Sequence, residues 1–427
     1  MIPEEKPVPG NPLESSRPAG AEPSWLTEQR SRIQPAWSAA VPPHPKDEDW
    51  KYVEVDFHLE DFAPVSNPSD PLEGHEFLDV LGEASGRLTM VDGIVTEVAG
   101  EEVLVESVIE DQEGRLAPFY GAMTPPGLDI FAAANLSFGP PGAVITIPAG
   151  RHQEAPIVID VQAVAEGSVS FPQVTVVGEA GSEASVVLLY RSTAGADLLL
   201  CPIVETRVGQ GARLALTVVQ NLSGEARMVG HHRYETARDA DLRIGEIGLG
   251  GRFARQRQGI VLAGKGSSVR MGGIYFGDRS QVLDYRINVT HRGPRTTSDI
   301  FLKGAVAGTA QAVWTGLMRI EKEAVGTSAF ETNRNLVLSD GAKINSVPNL
   351  EILTDDLQCG HGSSSGPIDE HQLYYLMSRG LPRDRAERLL VRGFFDEILS
   401  DLASPALAAP SRRRVAEKFA FSQQGGS

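Results

Sequence analysis

The chain has very little cysteine. Only Cys201 and Cys359 occur among its 427 residues. Two thiols cannot build a disulfide framework, and a site with four thiolate ligands cannot form within one chain. We therefore predict a protein of a reducing compartment, the cytoplasm, rather than a secreted protein that depends on disulfides.

Long apolar runs are also missing. None approaches the ~20 residues that a membrane-spanning helix requires, so we predict no membrane segment. Residues 1–5 show no cationic segment followed by an apolar run, and we expect no signal peptide. Apolar residues make up 41% and charged residues 22% of the chain, which is typical of a globular protein.

Basic charge is in deficit. The chain has 39 Lys and Arg residues against 56 Asp and Glu residues, which gives a formal net charge of −17. General nucleic-acid binding requires a basic surface that meets the phosphates. We therefore exclude nucleic acid as the partner, and the acidic excess by itself indicates solubility.

A long helical period is absent from about residue 85 to 355. Glycines there separate many short runs of β-branched residues, a pattern that favours strands and turns. The clearest runs are Ala143–Ile147, Ile157–Val161, Val174–Val177, Val186–Leu189, Leu214–Val219, Gly259–Leu262 and Asp284–Val289.

Several of these segments resemble one another. Similar stretches begin at Gly181, Gly211, Asp239 and Gly266, at intervals of 30, 28 and 27 residues, and a later relative begins at Gly341. A small corner residue followed by alternating side chains is what each turn of a solenoid needs. A strand-built repeat of roughly this length predicts a β-helix. On the residues alone, a β-sandwich or jelly roll remains the alternative.

Composition divides the chain into four parts. Residues 1–23 are rich in Pro, Gly, Glu and Ser, and we predict a disordered tail. A helical and extended N-terminal region is expected over 24–84, with its helix over about 24–40. The β core is predicted for 85–365 and a helical domain for 366–427.

Three helices are predicted in the C-terminal part. Asp369 is a good N-cap for the first, Pro382 begins the second, and the third spans about 411–419. The second has an apolar stripe that includes Leu389 and Phe394. The pattern allows these helices to pack on the β core or to offer a face to another protein.

The candidate chemical site is a cysteine and a histidine two residues apart, Cys359 and His361. If they lie on a strand, both side chains point to one face with their Cα atoms ~6.6 Å apart. Thiolate and imidazole suit iron or zinc, and Cys/His mixtures hold some iron–sulfur clusters. A tetrahedral metal needs four ligands, so this is half a site. The others would come from a partner, from sulfide, or from distant residues such as His231 and His232.

This motif and its flanks resemble a known family. With Asn349–Leu353 upstream and Gln372–Gly380 downstream, it is similar to the C-terminal signature of the SufB/SufD scaffolds of SUF iron–sulfur cluster assembly. Trp25-Leu26 and Asp49–Tyr52 resemble N-terminal elements of that family. SufB relatives usually carry Glu where Gly362 stands, so the chain is most like SufD.

The sequence departs from the family pattern without losing a ligand. Gly360 replaces the common Ser, and Ser363-Ser364 replaces the common Ala-Thr. The resemblance implies a right-handed parallel β-helix core, mainly β, with a small N-terminal region and a C-terminal α-helical domain. It also implies a scaffold that is not itself an enzyme.

The resemblance further implies partners and a cargo. The chain would pair with SufB, and a nascent iron–sulfur cluster would form at their interface, at His361 with Cys359 beside it. The ATPase SufC would dock on the C-terminal helices, about 369–400. A flavin in the complex cannot be read from the sequence, and the isolated chain could be a homodimer.

Three other functions stay open on the residues. One is a SufB-like paralogue of the same system. Another is a carbohydrate lyase or hydrolase built on a β-helix, which would carry clustered carboxylates along one groove. The last is a structural or adhesive solenoid without an ATPase partner. The structural alternative for the motif itself is a thiol and a hydrogen-bonded histidine at a domain corner.

Overall fold

The protein is mainly β, with 42% strand and 21% helix, and its centre is a parallel β-solenoid of about eight turns. The computed structural model describes Leu13 and residues 22–100 and 103–424, the side chain of 424 excepted. The predicted tail of 1–23 lies outside the described residues except for Leu13 and residues 22–23. The predicted β-helix with C-terminal helices is thus confirmed, and the sandwich alternative is wrong.

The described helices lie at the two ends of the chain and at one insertion. They are α1 Ser24–Ala39, α2 Glu76–Asp79, α3 Ile130–Phe138, α4 Glu370–Ser378, α5 Arg383–Leu399 and α6 Ala408–Gln424. Single turns of 3-10 helix are Glu48–Trp50, Leu59–Asp61, Val108–Glu110 and Pro405–Leu407.

The strands become long and regular from about residue 213. Those in the first part are β1 Ala63–Pro64, β2 Gly86–Val91, β3 Ile94–Gly100, β4 Leu104–Ser107, β5 Ala143–Ile147, β6 Ile157–Ala163, β7 Ser168–Ser170, β8 Gln173–Gly178, β9 Glu183–Ser192, β10 Leu199–Leu200 and β11 Ile203–Val208. Those that follow are β12 Arg213–Asn221, β13 Arg227–Thr236, β14 Asp241–Gly248, β15 Phe253–Leu262, β16 Ser268–Gly277, β17 Val282–His291, β18 Thr297–Val306, β19 Gln311–Ile320, β20 Thr327–Val337, β21 Lys343–Ile352 and β22 Leu357–Gly366.

The solenoid consists of two sheets. Sheet A has the order β21-β19-β17-β15-β13-β11-β8-β5-β4, and sheet B has the order β22-β20-β18-β16-β14-β12-β9-β6-β2-β3. Consecutive long strands lie alternately in sheet A and sheet B. Within each sheet, a strand pairs in parallel with the strand one turn earlier and the strand one turn later. Only the β2–β3 and β4–β5 pairs among the described strands are antiparallel. At the other end, no described strand pairs with the outer edge of β21 or β22, and we call this pair of strands the open end.

The strand register confirms the predicted repeat. Glu183, Arg213, Asp241 and Ser268 are in-register neighbours on β9, β12, β14 and β16, so the intervals of 30, 28 and 27 residues are turns of the solenoid. The later relative at 341 is different, because it leads into β21 of sheet A. The corner at 341 has a similar sequence, but the strand that follows it belongs to sheet A rather than sheet B.

Each sheet has one face towards the solenoid interior and one face covered by a terminal region. The interior is filled by buried Leu, Ile, Val and Met side chains from both sheets. The outer face of sheet A packs against the N-terminal region through residues such as Trp50 and Phe57, and against α3. Because parallel strands are buried on both faces, they read as nearly continuous apolar runs. This explains why no long period of 2 dominates the sequence.

Helix α3 interrupts the part of the chain in which only strands were expected. The Asp129 side chain caps it by accepting from the backbone N–H groups of Phe131 and Ala132. Three consecutive alanines, 132–134, have high helix propensity and allow close packing. At nine residues the helix is too short to give a clear period.

The C-terminal helices pack on the β core, which is one of the two arrangements that their pattern allowed. The apolar side of α5, including Val391 and Phe395, packs on the outer face of sheet B and on α6. Lys303 of sheet B donates to the Phe394 carbonyl oxygen at 2.7 Å and pairs with Glu397. Helix α4 buries only Leu373 and leaves its other side chains at the surface.

Candidate metal and cluster site

Cys359 and His361 lie on β22, the last strand of sheet B. Cys359 is in register with Ala329 of β20, and His361 is in register with Glu331. Because side chains alternate along a strand, the thiol and the imidazole share one face, as expected. Cys359 is partly buried against the interior core, and His361 is exposed.

The outer edge of β22 is unusually bare. Edge strands are commonly protected by proline or lysine against pairing with another chain. Strand β22 contains neither, and it carries glycine at 360, 362 and 366 and serine at 363–365. The neighbouring edge strand β21 does carry this protection, since it contains Pro348 and Lys343. The open end is therefore most accessible to another strand along β22.

Glu331 is the residue that sequence reasoning missed. It lies one turn of the solenoid before His361 and is only 1% exposed. Neither of its carboxyl oxygens has a hydrogen-bond partner among the described residues. Burial raises the pKa of Glu331 to about 8. Glu331 occupies one of the alternate positions of β20 that face the interior, and an acid at such a position is the sequence signal that could have identified it.

Next to Glu331 the interior contains an amide network rather than apolar packing. Tyr275 donates its hydroxyl to Asn335 at 2.6 Å, and Asn335 donates to Asn333 at 2.6 Å. Ser346 of β21 also donates to Asn333, at 2.9 Å, which ties sheet A to sheet B. Asn335 reaches Ser365 of β22 at 3.3 Å. These bonds hold the last strands of the open end in place.

The structure places the other candidate ligands elsewhere. His231 and His232 point to opposite faces of β13. His231 contacts the Asp129 carboxylate at 2.7 Å on the outside, whereas His232 contacts the Tyr190 hydroxyl at 2.9 Å in the interior. Burial lowers the pKa of His232 to about 3. Both belong to sheet A, several turns from β22, so their proposed role as distant ligands beside Cys359 and His361 is wrong.

The described residues contain no ready-made metal site. Over 22–100 and 103–424, no three His, Cys, Asp or Glu side chains are grouped so that they could hold a metal ion. Cys201 is buried with 1% exposure in the apolar layer outside sheet A. Cys359 and His361 therefore offer two donors at an accessible edge, and the described residues group no third donor with them.

No helix within the described part of the chain has the length and apolar character needed to cross a membrane.

Comparison with known proteins gives a consistent set of relatives. A family model described as SUF system FeS cluster assembly, SufBD core domain, matches residues 161–394. An iron-sulfur cluster assembly SufBD family protein of Mycobacterium tuberculosis is 36% identical over 285 residues, which cover 65% of this chain and 71% of the relative.

Two further relatives extend the comparison. A SufBD family protein of Synechocystis is 24% identical over 426 residues, which cover 94% of this chain and 93% of the relative. The iron-sulfur cluster assembly protein SufD of Escherichia coli is 28% identical over 219 residues, 49% of this chain and 52% of that protein.

Proposed function

Because the chain belongs to the SufBD family of iron–sulfur cluster assembly proteins, we propose that it is a SufD-type scaffold subunit. In this role it pairs with a SufB subunit, binds the ATPase SufC through its C-terminal helices, and presents His361 and Cys359 to a nascent cluster. The cluster is the cargo of the complex, and the chain supplies shape and ligands rather than catalysis.

One observation carries this proposal: a thiol and an imidazole share a face of β22, and no described strand pairs with the outer edge of this strand. Two donors cannot close a tetrahedral iron site. A second subunit that docks on the open end would bring its own donors to the same place. The site is therefore complete only in a complex, which is the property expected of an assembly interface.

The edges of the solenoid support strand pairing as the mode of docking. Free N–H and C=O groups along β22 can accept a strand from a partner, as in other cases of β-strand addition. The glycines and serines of β22 leave the partner's backbone room to approach. The exposed side chain of Phe330, on the neighbouring strand β20, adds apolar surface beside this edge.

We expect the double variant Cys359→Ala/His361→Ala to lose most of its cluster. The double variant removes both proposed ligands at the open end. Loss of a residue that only supports a ligand already costs about 10–100-fold in metal affinity. Iron and acid-labile sulfide, measured after anaerobic reconstitution of the co-expressed complex, should fall at least about tenfold.

Two matched variants control for this result. Ser363→Ala lies on the same strand and face but removes no ligand, and His152→Ala removes an exposed imidazole near the other end of the solenoid. Both should retain the cluster content of the unmodified complex. An unchanged cluster yield in the double variant would show that the site is assigned to the wrong residues.

The docking of the ATPase is proposed for the surface of α4 and α5, within about 369–400. Tyr374 is 74% exposed, Tyr375 57% and Leu389 48%, so this surface has large side chains that a partner could cover. Tyrosines at the centre of an interface often contribute about 2 kcal/mol or more, which corresponds to about a 30-fold change in Kd.

Tyr374→Ala/Tyr375→Ala should therefore weaken SufC binding at least about 30-fold, as measured by calorimetry with purified SufC. Arg238→Ala, an exposed charged position at a corner of the solenoid and outside α4 and α5, serves as the control and should bind normally. Equal binding by the tyrosine variant would place the ATPase on another surface.

The SufB-like assignment remains the second candidate, and Gly362 after the histidine is the feature that weighs against it. Co-purification from the native cell distinguishes the two. A SufD-type chain should recover a SufB subunit, whereas a SufB-like chain should recover a SufD subunit.

A further inference from the structure

The solenoid interior contains a buried carboxyl group, that of Glu331, without a hydrogen-bond partner among the described residues. Glu331 points from β20 into the interior, is only 1% exposed, and has no hydrogen-bond partner for either oxygen among the described residues. Leaving a buried polar group unsatisfied costs about 1–3 kcal/mol, and more if the group is charged. A residue held at such a cost is a candidate for a function that the free chain does not display.

Space for this carboxyl is provided from the opposite sheet. A Cβ atom added at Gly316 of β19 would lie only 1.7 Å from Glu331 Oε1. No other residue type could stand there without displacing the acid. The glycine therefore accommodates the carboxyl group, and Asn349 of β21 holds that glycine in place by donating to its carbonyl oxygen at 3.1 Å.

The in-register neighbour of Glu331 on β22 is His361. Glu331 and His361 are in-register partners on parallel strands, which lie about 4.8 Å apart, and both belong to the inward-facing series of their strands. The imidazole itself makes no hydrogen bond among the described contacts. No three possible ligands group around one point in the described part of the chain, and the placement of Glu331 one strand behind His361 suits a carboxyl that contacts the imidazole rather than the iron.

We propose that Glu331 is a positioning residue for His361 in the assembled complex. When the open end is covered, a carboxyl oxygen of Glu331 accepts the Nδ1–H of His361, since Nδ1 is the ring nitrogen nearer the strand. Nε2 is then left free and directed past the edge towards the iron of the cargo. Histidine ligands generally need such a partner on the other nitrogen. This inference rests on the proposed function of His361.

The test uses the co-expressed complex, reconstituted anaerobically with Fe²⁺ and sulfide. Pulsed EPR on the reduced cluster measures the hyperfine coupling of the ligating nitrogen, and a ferrous chelator measures how long the cluster is retained. Glu331→Ala should change the nitrogen coupling and shorten the retention time about tenfold or more. Glu331→Gln should restore both, because its amide oxygen can accept the same N–H.

The stability of the isolated chain separates this role from a structural one. Removing an unpaired buried acid should leave the melting temperature of Glu331→Ala unchanged or raised, so cluster loss would occur without loss of fold. Gly316→Ala, which displaces the carboxyl without touching His361, should reproduce the change in nitrogen coupling.

Two results would overturn the inference. One is an unchanged coupling and retention time in Glu331→Ala, and the other is equal loss in Glu331→Ala and Glu331→Gln. A nitrogen coupling that survives His361→Ala would instead contradict the proposed function itself, because His361 would then not be the ligand.

Discussion

Asp284→Ala should lower the free energy of unfolding of this protein by about 3–5 kcal/mol, because it leaves a buried guanidinium without its counter-ion. Asp284 and Arg255 form an ion pair with both side chains fully buried between sheet A and the N-terminal region. Arg255 also donates to the Asp49 carbonyl oxygen at 2.7 Å, and its guanidinium lies 3.8 Å from the Trp50 ring centroid. Urea denaturation of the full chain measures the loss.

An exposed ion pair gives the matched control for this prediction. Arg270 contacts Asp401 at 3.6 Å with both side chains more than half exposed. Exposed pairs contribute about 0–1 kcal/mol, so Arg270→Ala should denature close to the unmodified protein. If Asp284→Ala also unfolds within about 1 kcal/mol of it, Arg255 must find another partner or reach water, and the N-terminal region is held by packing alone.

The repeat could be predicted from sequence because a solenoid turn repeats its corner as well as its strand. The segments at 181, 211, 239 and 266 share a small residue and then alternate, and they form successive turns of sheet B. The segment at 341 has the same local pattern but belongs to sheet A. The sequence pattern of a corner depends on the local backbone geometry. It does not indicate which of the two sheets the next strand joins.

The candidate site was partly readable for a similar reason. Alternation along one strand predicts that Cys359 and His361 share a face, and β22 confirms that they do. Glu331 could not be found in this way, because its relation to His361 runs across strands and depends on a register set by the length of the intervening corner. Ser24 shows the limit for local signals: serine is a preferred N-cap residue, but the helix begins at Ser24 and its cap position is Pro23, without a side-chain bond.

A second large effect concerns Glu246, an acid deep inside the solenoid. It is fully buried, and only one of its oxygens has a partner among the described residues, the Gln258 amide at 2.9 Å. Burial raises the pKa of Glu246 from its usual 4.5 to about 8. Between these values the folded chain keeps a proton that the unfolded chain has lost. Stability must therefore fall as the pH rises from about 5 to 8.

Glu246→Gln removes the buried acid, and the resulting gain in the free energy of unfolding should depend on pH. Near pH 5 the variant and the unmodified protein should be similarly stable, because the acid is then protonated when folded. Above about pH 8 the variant should be more stable by about 3–5 kcal/mol, since each pKa unit corresponds to about 1.4 kcal/mol. Denaturation curves across about pH 5–9 measure the difference.

Two features of the same chain make this test specific. Glu235→Gln, on the outer face of β13 and partly exposed, should follow the unmodified protein at every pH. The buried imidazoles act in the opposite direction: burial lowers the pKa of His232 to about 3 and that of His291 to about 4, so stability must also fall below about pH 6.5. The Glu246→Gln substitution should leave this acid limb intact. A stability gain that is the same at both ends of the pH range would mean that Glu246 is not protonated in the fold, and that water or an ion reaches it inside the solenoid.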